Sequence, residues 1–441
     1  MEMLIKHSGI EWIGEIPAEW KIQRFKSVIH SMKKGNGITK EDVVANGEVQ
    51  CVRYGEIYSK YSGSFAKCVS TTNLANVSSP QFFSYGDILF ACTGELTEEI
   101  GKNVVYVGSE ECLAGGDIII AKHSQNPVFL NYAMNSAYAQ AQKSRDKTKL
   151  KVVHISASEI GNVRIALPPI YEQTKVASFL DGECARIDSI IEQTRASIEE
   201  YKKLKQALIT EAVTKGVRPG RVMKDSGVEW IGEIPADCEM ARFQDFGDYK
   251  KGPFGSSITK SMFVEKSTNT YKVYEQKNAI NKDSQLGYYY ISEEKYHELL
   301  GFAVKAGDII VSCAGTIGEC FILPVDCESG VINQALMRIR INTNTEGRYF
   351  VYLFGSVLKY IADKYSNGSA MKNIPPFSIL KKVKVPLFSL DEQHEIADWL
   401  DEKTEEINQL ISKKESFLSE MENYKRSIIY EYVTGKKEVP A

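Results

Sequence analysis

Ser8-Gly9-Ile10-Glu11-Trp12-Ile13-Gly14-Glu15-Ile16-Pro17 returns in this 441-residue chain as Ser226-Gly227-Val228-Glu229-Trp230-Ile231-Gly232-Glu233-Ile234-Pro235, 218 residues later and identical at nine of ten positions. Two decapeptides this alike do not arise independently, so the chain is a duplication. Outward from them the echoes continue. Lys33-Lys34-Gly35 returns as Lys250-Lys251-Gly252, and Gly86-Asp87-Ile88 with Cys92-Thr93-Gly94 returns as Gly307-Asp308-Ile309 with Cys313-Ala314-Gly315. Glu172-Gln173 is matched by Glu392-Gln393, and Asp181 by Asp401. A period of about 220 residues is far too long for a solenoid and means two copies of a domain plus its connector. The edges of the copies match, whereas the interiors, 36–85 and 253–306, have diverged. Similar frames around dissimilar interiors point to one architecture serving two targets.

Behind each large block a proline boundary, Leu167-Pro168-Pro169 or Val385-Pro386, announces a helical segment, because the residue before proline is driven out of the helical region. In the first segment Ile187, Ile191, Thr194, Ile198, Tyr201, Lys205, Leu208 and Ala212 advance by alternating steps of four and three. In the second, Ile407, Ile411, Lys414, Leu418, Met421, Lys425, Ile428 and Tyr432 do the same, each 220 residues after its counterpart. This is a heptad stripe. So narrow a stripe needs another helix to cover it, and the other stripe of the same chain is the economical partner. An unbroken helix over 185–214 is about 45 Å long at ~1.5 Å per residue, to be compared with ~34 Å between the half-sites of paired DNA readers. A coiled coil that only dimerises or stiffens the chain explains the stripe equally well. Lys205 and Lys425 interrupt both stripes at one place, where lysine either fixes register or snorkels outward. Gly182 is a candidate kink in the first connector, where the second has Glu402.

Length predicts at least two domains. Hydrophobic residues at 43% and charged residues at 25% describe a folded chain rather than a disordered one. No apolar run approaches the ~18 residues that cross a bilayer, and Met1–Trp12 has neither the apolar stretch nor the cleavage site of a signal peptide. The cytoplasm is therefore expected, with no membrane partner. The nine cysteines include no Cys-x-x-Cys pair; Cys313, Cys320 and Cys327 are seven apart, which is not a zinc spacing, so reduced and mostly buried thiols are expected, with no metal site. The net charge of −3 is concentrated at one end. Residues 390–441 hold 7 Lys+Arg against 13 Asp+Glu, whereas 1–170 hold 18 against 17 and 217–389 hold 22 against 19. Charge permits DNA binding by the two large blocks without demonstrating it.

Catalytic motifs are not found. Asn373-Ile374-Pro375-Pro376-Phe377 resembles the Asn-Pro-Pro-Phe signature of amino-methyltransferases, but Ile374 offers no acceptor for a target amine. No Gly-x-Gly-x-x-Gly follows a strand, so no pocket for a dinucleotide or S-adenosylmethionine is indicated. Ala314-Gly315-Thr316-Ile317-Gly318 lacks the Gly-Lys-Ser/Thr ending of a phosphate loop and reads as a tight turn between strands Ile309-Ile310-Val311 and Cys320-Phe321-Ile322-Leu323. No spaced Asp…Glu-x-Lys nuclease set stands out.

Taken together, the paired Ser-Gly-[IV]-Glu-Trp-Ile-Gly-Glu-Ile-Pro segments, the Gly-Asp-Ile strands, the Gly315-Thr316-Ile317-Gly318 turn and the proline boundaries before Glu172-Gln173 and Glu392-Gln393 resemble the specificity subunits of type I restriction-modification systems, the HsdS family. The likeness covers essentially the whole chain; each motif alone is weak, and their duplicated order is specific. It implies a mixed α/β fold with two target-recognition domains at 1–168 and 217–388. Two long connector helices, 169–216 and 389–436, would pair antiparallel as a coiled coil and give the subunit a pseudo-twofold internal repeat. Each domain would read one half of a bipartite, asymmetric site in double-stranded DNA. A methyltransferase (M) subunit would dock on each side and restriction/translocase (R) subunits would join them. The chain itself would be non-catalytic and hold no cofactor, with S-adenosylmethionine, ATP and magnesium belonging to the partners. The first copy departs from the pattern at Gly94-Glu95-Leu96-Thr97, where the second has Gly-Thr-Ile-Gly.

Candidate DNA contacts follow from residue type. Lys143, Arg145, Lys147, Lys149 and Lys151 crowd nine residues with one acid, Asp146; Ser366, Asn367, Ser369 and Lys372 occupy the corresponding stretch of the second block. Lys33, Lys34, Lys250 and Lys251, followed by Ser256, Ser257 and Lys260, form another group, and Thr316 sits on the turn. Lysine and arginine neutralise phosphates, while serine, asparagine and arginine reach base edges. The plainer reading of any one of them is a solvated loop. Two other functions compete: a self-sufficient DNA methyltransferase or nuclease, which needs the missing motifs, and a coiled-coil scaffold, which gives no reason for diverged interiors. The repeat predicts two further things. The segment Ser8–Pro17 should lie beside the end of the second helix, and replacing 20–168 by a copy of 242–386 should turn an asymmetric target into an inverted repeat.

Overall fold

The computed structural model describes residues 4–11, 13–147, 152–365 and 376–440. The chain divides into two compact units, Met1–Arg195 with Glu415–Ala441, and Ala196–Lys414. Each unit therefore holds one large block together with parts of both connector segments, whereas the sequence divides the blocks from the connectors at 168/169 and 388/389.

In the first unit the decapeptide is a hairpin: Ile5–His7 pairs antiparallel with Glu15–Pro17. Gly9 and Gly14 hold φ of +75° and +68° in its turn, where any other residue would be strained. Ile10, Ile13 and Ile16 point into the core. Lys21–Arg24 then pairs with Arg164–Leu167 to close a collar around the block. Inside it lies a five-stranded sheet in the order Ile29–Lys34, Ile118–His123, Ile88–Ala91, Asn103–Tyr106, Ser64–Phe65, and a second sheet in the order Ser70–Thr72, Val49–Val52, Cys112–Ala114, Phe82–Phe83. Side chains alternate across the first sheet as the two-residue period requires. Ile88, Phe90, Val105 and Ile119 pack toward the core that includes helices Pro127–Asn135 and Ala137–Ser144. Leu89, Val104, Tyr106 and Ile120 pack toward Val52, Phe83 and Cys112 of the second sheet.

The second unit repeats this plan with one strand fewer in its first sheet, which has no counterpart of Ser64–Phe65 among the described residues. Met223–Asp225 pairs with Glu233–Pro235, and Glu239–Arg242 with Lys384–Leu387. Its sheets run Gly247–Lys251, Leu336–Ile341, Ile309–Ser312, Cys320–Ile322 and Tyr290–Ser292, Thr270–Tyr274, Gly330–Ile332, Ala303–Val304. One helix, Gly347–Tyr365, covers the face that two shorter helices cover in the first unit. Ile309–Ser312 and Cys320–Ile322 are antiparallel neighbours, so 313–319 is the turn expected.

The long helices are Ile170–Lys215, which runs unbroken through Gly182, and Leu390–Val433. In the first unit their segments pair antiparallel: Phe179 lies against Tyr432 at 4.4 Å between centroids, Lys425 Nζ donates to Asp188 at 2.6 Å, and Arg195 meets Glu422 at 2.8 Å. Ile187, Ile191 and Ile428 are buried in that seam, with Leu418 and Met421 half-buried. In the second unit the pairing is again antiparallel, with Lys205 Nζ donating to Asn408 Oδ1 at 2.8 Å and Lys414 Nζ 5.6 Å above the Tyr201 ring. There Ile198 and Ile407 are buried, and Tyr201, Leu208 and Ile411 half-buried. Both seam lysines thus reach out to polar partners, and burial pulls the Lys205 ammonium below its usual range. Beyond Val433 the chain folds back on the first hairpin: Gly435 lies so close to Pro17 that a Cβ there would come within 2.4 Å of its ring. The expected nearness of Ser8–Pro17 to the end of the second helix is met.

Candidate DNA-recognition surface

The motifs shared by the two copies build the frame. Gln173, 1% exposed, donates from Nε2 to the carbonyl of Pro168 at 2.9 Å and to Gln125 Oε1 at 2.8 Å, and its Oε1 accepts from the amide of Asn126 at 3.0 Å. Gln393, fully buried, donates to the carbonyls of Phe388 (3.0 Å) and Asn344 (3.1 Å) and accepts from the amide of Glu346 at 2.9 Å. Each glutamine ties the first turn of a long helix to the start of the helix that covers the sheet. Asp181 and Asp401 accept from Tyr132 and Tyr352 at 2.9 and 2.7 Å. The Gly-Asp-Ile aspartates close the turn before their strand, Asp87 accepting from the Ser84 amide and Asp308 from that of Lys305. Burial holds the Asp87 carboxyl above its usual range despite Lys122. Gln173, Gln393, Asp87 and Asp308 are buried and are not offered to a ligand, whereas Asp181 is exposed and Asp401 half-buried.

The diverged segments supply three of the four strands of each unit's second sheet, and the ends of strands from both sheets meet at a rim. In the second unit the amide of Gly252 donates to Leu336, that of Cys313 to Ala335, and that of Asn333 to Tyr274. Three strand ends thus converge on 333–336. Gly252 runs so close to Asn333 that a Cβ would sit 1.9 Å from its carbonyl oxygen, which explains the glycine of Lys-Lys-Gly. Lys250 and Lys251 stand exposed at the end of an edge strand, Lys250 with its Nζ 5.1 Å over the Phe302 ring. The following loop presents Phe254, Ser256 and Lys260 to solvent, with Ser257 half-buried. On the adjacent turn Thr316 is exposed, and Gln276 Nε2 donates to the carbonyls of Ala314 and Thr316. Lys277 Nζ lies 5.7 Å from the rings of both Tyr288 and Tyr289.

The first unit assembles the same rim with other side chains. The amide of Gly35 donates to Ile118, that of Cys92 to Asp117 and that of Gly115 to Val52, and a Cβ on Gly35 would meet the Gly115 carbonyl at 2.3 Å. Lys33 and Lys34 are exposed, Lys34 pairing with Asp117 at 3.1 Å. Where the second unit has Gln276, this one has Tyr54, 40% exposed. Thr93–Gly94 pairs with Val153–His154, which joins the lysine-rich segment to the rim. Arg145 is exposed there; Lys147 is half-buried, donating to the His154 carbonyl at 2.7 Å and to Glu159 at 2.5 Å.

Lys143 requires correction. It is 2% exposed, with Nζ donating to the Gly101 carbonyl at 2.7 Å and reaching Asn103 Oδ1 at 3.4 Å, so it does not face a phosphate. Burial pushes its ammonium down to about 7. Lys149, Lys151, Ser366, Asn367, Ser369 and Lys372 lie outside the described residues.

Sequence reasoning missed a further basic cluster. In the collar of the first unit Arg24 and Arg164 stand directly opposite each other across the strand pair, an arrangement that repels unless an anion intervenes. With Arg145, Gln142, Asn162 and Glu159 they line an open cavity of about 680 Å³. The second unit repeats the opposition with Arg242 and Lys384. No signal could have found these pairs before the strand register was known, because the partners are some 140 residues apart. Elsewhere, eight of the nine cysteines are buried and Cys327 half-buried; burial pushes the thiols of Cys51 and Cys92 up to about 12. Among the described residues no group of three or more His, Cys, Asp or Glu could hold a metal ion.

A duplicated α/β recognition frame joined by paired helices defines a class of protein, and comparison with known proteins agrees. The type I restriction modification DNA specificity domain matches twice, at 17–200 and 235–418. The chain belongs to that family: it is the specificity subunit of a type I restriction-modification system, with two recognition domains. It is 24% identical to a putative type I restriction enzyme MjaX specificity subunit of Methanocaldococcus jannaschii, over 97% of this chain and 96% of that one. It is 23% identical to the MjaVIII specificity subunit of the same organism, over 96% and 94%. In fold it is similar to a chain solved in work on complex assembly and conformational transition of the type I R-M system (TM-score 0.73, 16% identity, 96% and 99% covered). It is also similar to an HsdS subunit from Thermoanaerobacter tengcongensis (TM-score 0.53, 15% identity, 96% and 98% covered).

Proposed function

We propose that each unit reads one half of a bipartite, asymmetric site in double-stranded DNA, through the rim at its sheet ends. The observation that carries this reading is one backbone rim, anchored at Gly35 in one unit and Gly252 in the other, dressed with different side chains: Lys33, Lys34 and Tyr54 against Lys250, Lys251, Phe254, Gln276 and Thr316. A common frame with distinct readers suits two unlike half-sites. The rim lysines and Arg145, with the opposed cations Arg24/Arg164 and Arg242/Lys384, neutralise phosphates and set register; Ser256, Ser257, Thr316 and Gln276 reach base edges. Lys149, Lys151, Ser366, Asn367, Ser369 and Lys372 remain proposed contacts on residue type alone.

The chain does no chemistry in this reading. Two methyltransferase subunits dock on the helices, bringing S-adenosylmethionine, and restriction/translocase subunits bring ATP and magnesium. A structural neighbour that comes from work on complex assembly supports such partners. No described helix is long and apolar enough to cross a membrane, and the complex acts on DNA in the cytoplasm. The test is a genome-wide map of methylated bases in a methylation-free bacterium carrying this chain and its neighbouring methyltransferase, repeated with this chain deleted. A split, asymmetric motif that vanishes on deletion is expected. Methylation persisting without the chain, or absent despite a purified complex, overturns the reading in favour of a scaffold; methylation by the chain alone would make it an enzyme.

A further inference from the structure

Phe254 stands out on the second unit. It is 87% exposed, in a loop whose flanks are shared with the first unit. Lys33-Lys34-Gly35-Asn36-Gly37-Ile38-Thr39-Lys40 corresponds to Lys250-Lys251-Gly252-Pro253-Phe254-Gly255-Ser256-Ser257-Ile258-Thr259-Lys260, three residues longer. Both loops start at the constrained glycine and re-enter the core at a buried isoleucine, Ile38 or Ile258. The added residues therefore change only what projects between two fixed points. In the first unit Asn36 folds back, donating from Nδ2 to the Ser79 carbonyl at 3.2 Å while its Oδ1 accepts from the Gly37 amide. In the second, Pro253 is buried and fixes its own φ, and the Phe254 carbonyl accepts from the Ser257 amide at 2.8 Å. The backbone at Phe254 is thus held while its ring is offered to solvent beside Lys250, Lys251 and Lys260.

An exposed apolar ring on an anchored backbone among cations is suited to entering a base step, where apolar wedges unstack neighbouring bases and bend the duplex. Stacking on a base is also the way an exposed ring among lysines gains contact area in DNA. We infer that Phe254 is a wedge that partly unstacks one base step of the half-site read by the second unit, a device that the matching loop of the first unit, Asn36-Gly37, does not carry. The inference rests on the proposed DNA reading and adds to it that the two half-sites are deformed unequally. Part of the specificity of the second half-site then comes from how readily that step opens.

The experiment uses the complex of this chain with its methyltransferase subunits and duplexes carrying the mapped motif, each with 2-aminopurine at one adenine position other than the methylated adenines, which the methyltransferase itself turns out of the stack. Wild type is expected to raise fluorescence several-fold at one step in the second unit's half-site and at none in the other. Phe254→Ala should abolish the rise and weaken binding about 5- to 100-fold, while Phe254→Leu should keep part of both. An equal rise with Phe254→Ala, or no rise at any position although wild type binds its motif, overturns the wedge. Loss of methyltransferase binding by Phe254→Ala without change in the DNA signal overturns it too, in favour of a protein contact. Failure of wild type to prefer its motif would instead sink the DNA reading itself, so the two failures are told apart.

Discussion

Replacing Lys143 by methionine tests the structural account of the first unit where it is least intuitive. The ammonium is enclosed, and among the described residues no carboxylate offsets its burial: its partners are the Gly101 carbonyl and the Asn103 amide oxygen. Its ionisation falls from 10.5 to about 7 because burial disfavours the charged form. At ~1.4 kcal/mol per pH unit the folded first unit is penalised by ~5 kcal/mol at and below pH 7, relative to alkaline solution. The sign is fixed by proton counts. Between pH 7 and 10.5 the unfolded chain holds a proton the folded one has released, so stability rises with pH across that window and is flat, for this group, on either side. Lys143→Met removes the titration but leaves two acceptors unpaired, at ~1–3 kcal/mol each. The variant should match or exceed wild type at pH 6.5 and fall behind it by ~3 kcal/mol more at pH 9.5. Hydrogen exchange of the whole chain, read in peptides covering 101–106 and 137–144, isolates this unit, and other titrating groups cancel in the difference. Parallel pH profiles for wild type and Lys143→Met, within 1 kcal/mol, would refute the burial.

Gln393→Ala removes a buried side-chain amide and leaves the Glu346 amide and the Asn344 and Phe388 carbonyls without it; it should destabilise the second unit by about 2–5 kcal/mol, seen as lost exchange protection in Gly347–Tyr365 with the first unit unmoved. Changing Arg24 and Arg164 together to glutamine should weaken binding to cognate and unrelated DNA equally and lower the salt slope of log K by about 0.9 for each phosphate no longer neutralised, while the methylated motif stays the same; an altered motif would show that these arginines read bases. The strand registers place the junctions for duplicating one recognition domain at 21–167 and 239–387, because Lys21↔Leu167 and Glu239↔Leu387 are the equivalent pairs. A chain with 239–387 in both positions should direct methylation to an inverted repeat, and an unchanged asymmetric motif would contradict the one-half-per-unit reading.

The parts of this architecture carried by repetition were legible in the sequence, and those carried by long-range pairing were not. Glu172-Gln173 and Glu392-Gln393 were visible as a signature, but the role of the glutamines needed Asn126 and Glu346, each 47 residues earlier in the chain. The heptad stripes located the helices, and the burial of Ile187, Ile198, Ile407 and Ile428 follows from them. Lys143 misled because its sequence neighbours are basic. The helix Ala137–Ser144 held the correcting signal, since Ala139, four residues earlier and on the same face, is fully buried. For Arg24 and Arg164 there was no such signal, because a cross-strand pair exists only once the register is set.

How two readers diverge inside one frame follows from the way the rim loops are held. Their anchors are backbone hydrogen bonds and glycine close approaches, Gly35 to Gly115 and Gly252 to Asn333, together with buried isoleucines at the points of re-entry. None of these depends on the identity of the side chains that project between them. Lengthening such a loop by three residues adds only a fraction of a kcal/mol of closure entropy, so Asn36 can be answered by Pro253-Phe254-Gly255-Ser256 without disturbing the sheet beneath. The frame glutamines Gln173 and Gln393 and the Gly-Asp-Ile aspartates Asp87 and Asp308 are, by contrast, enclosed and hydrogen-bonded, and there a substitution leaves a buried polar group unmet. Selection for a new target can act freely on the first set and hardly at all on the second, which leaves matching edges around dissimilar interiors.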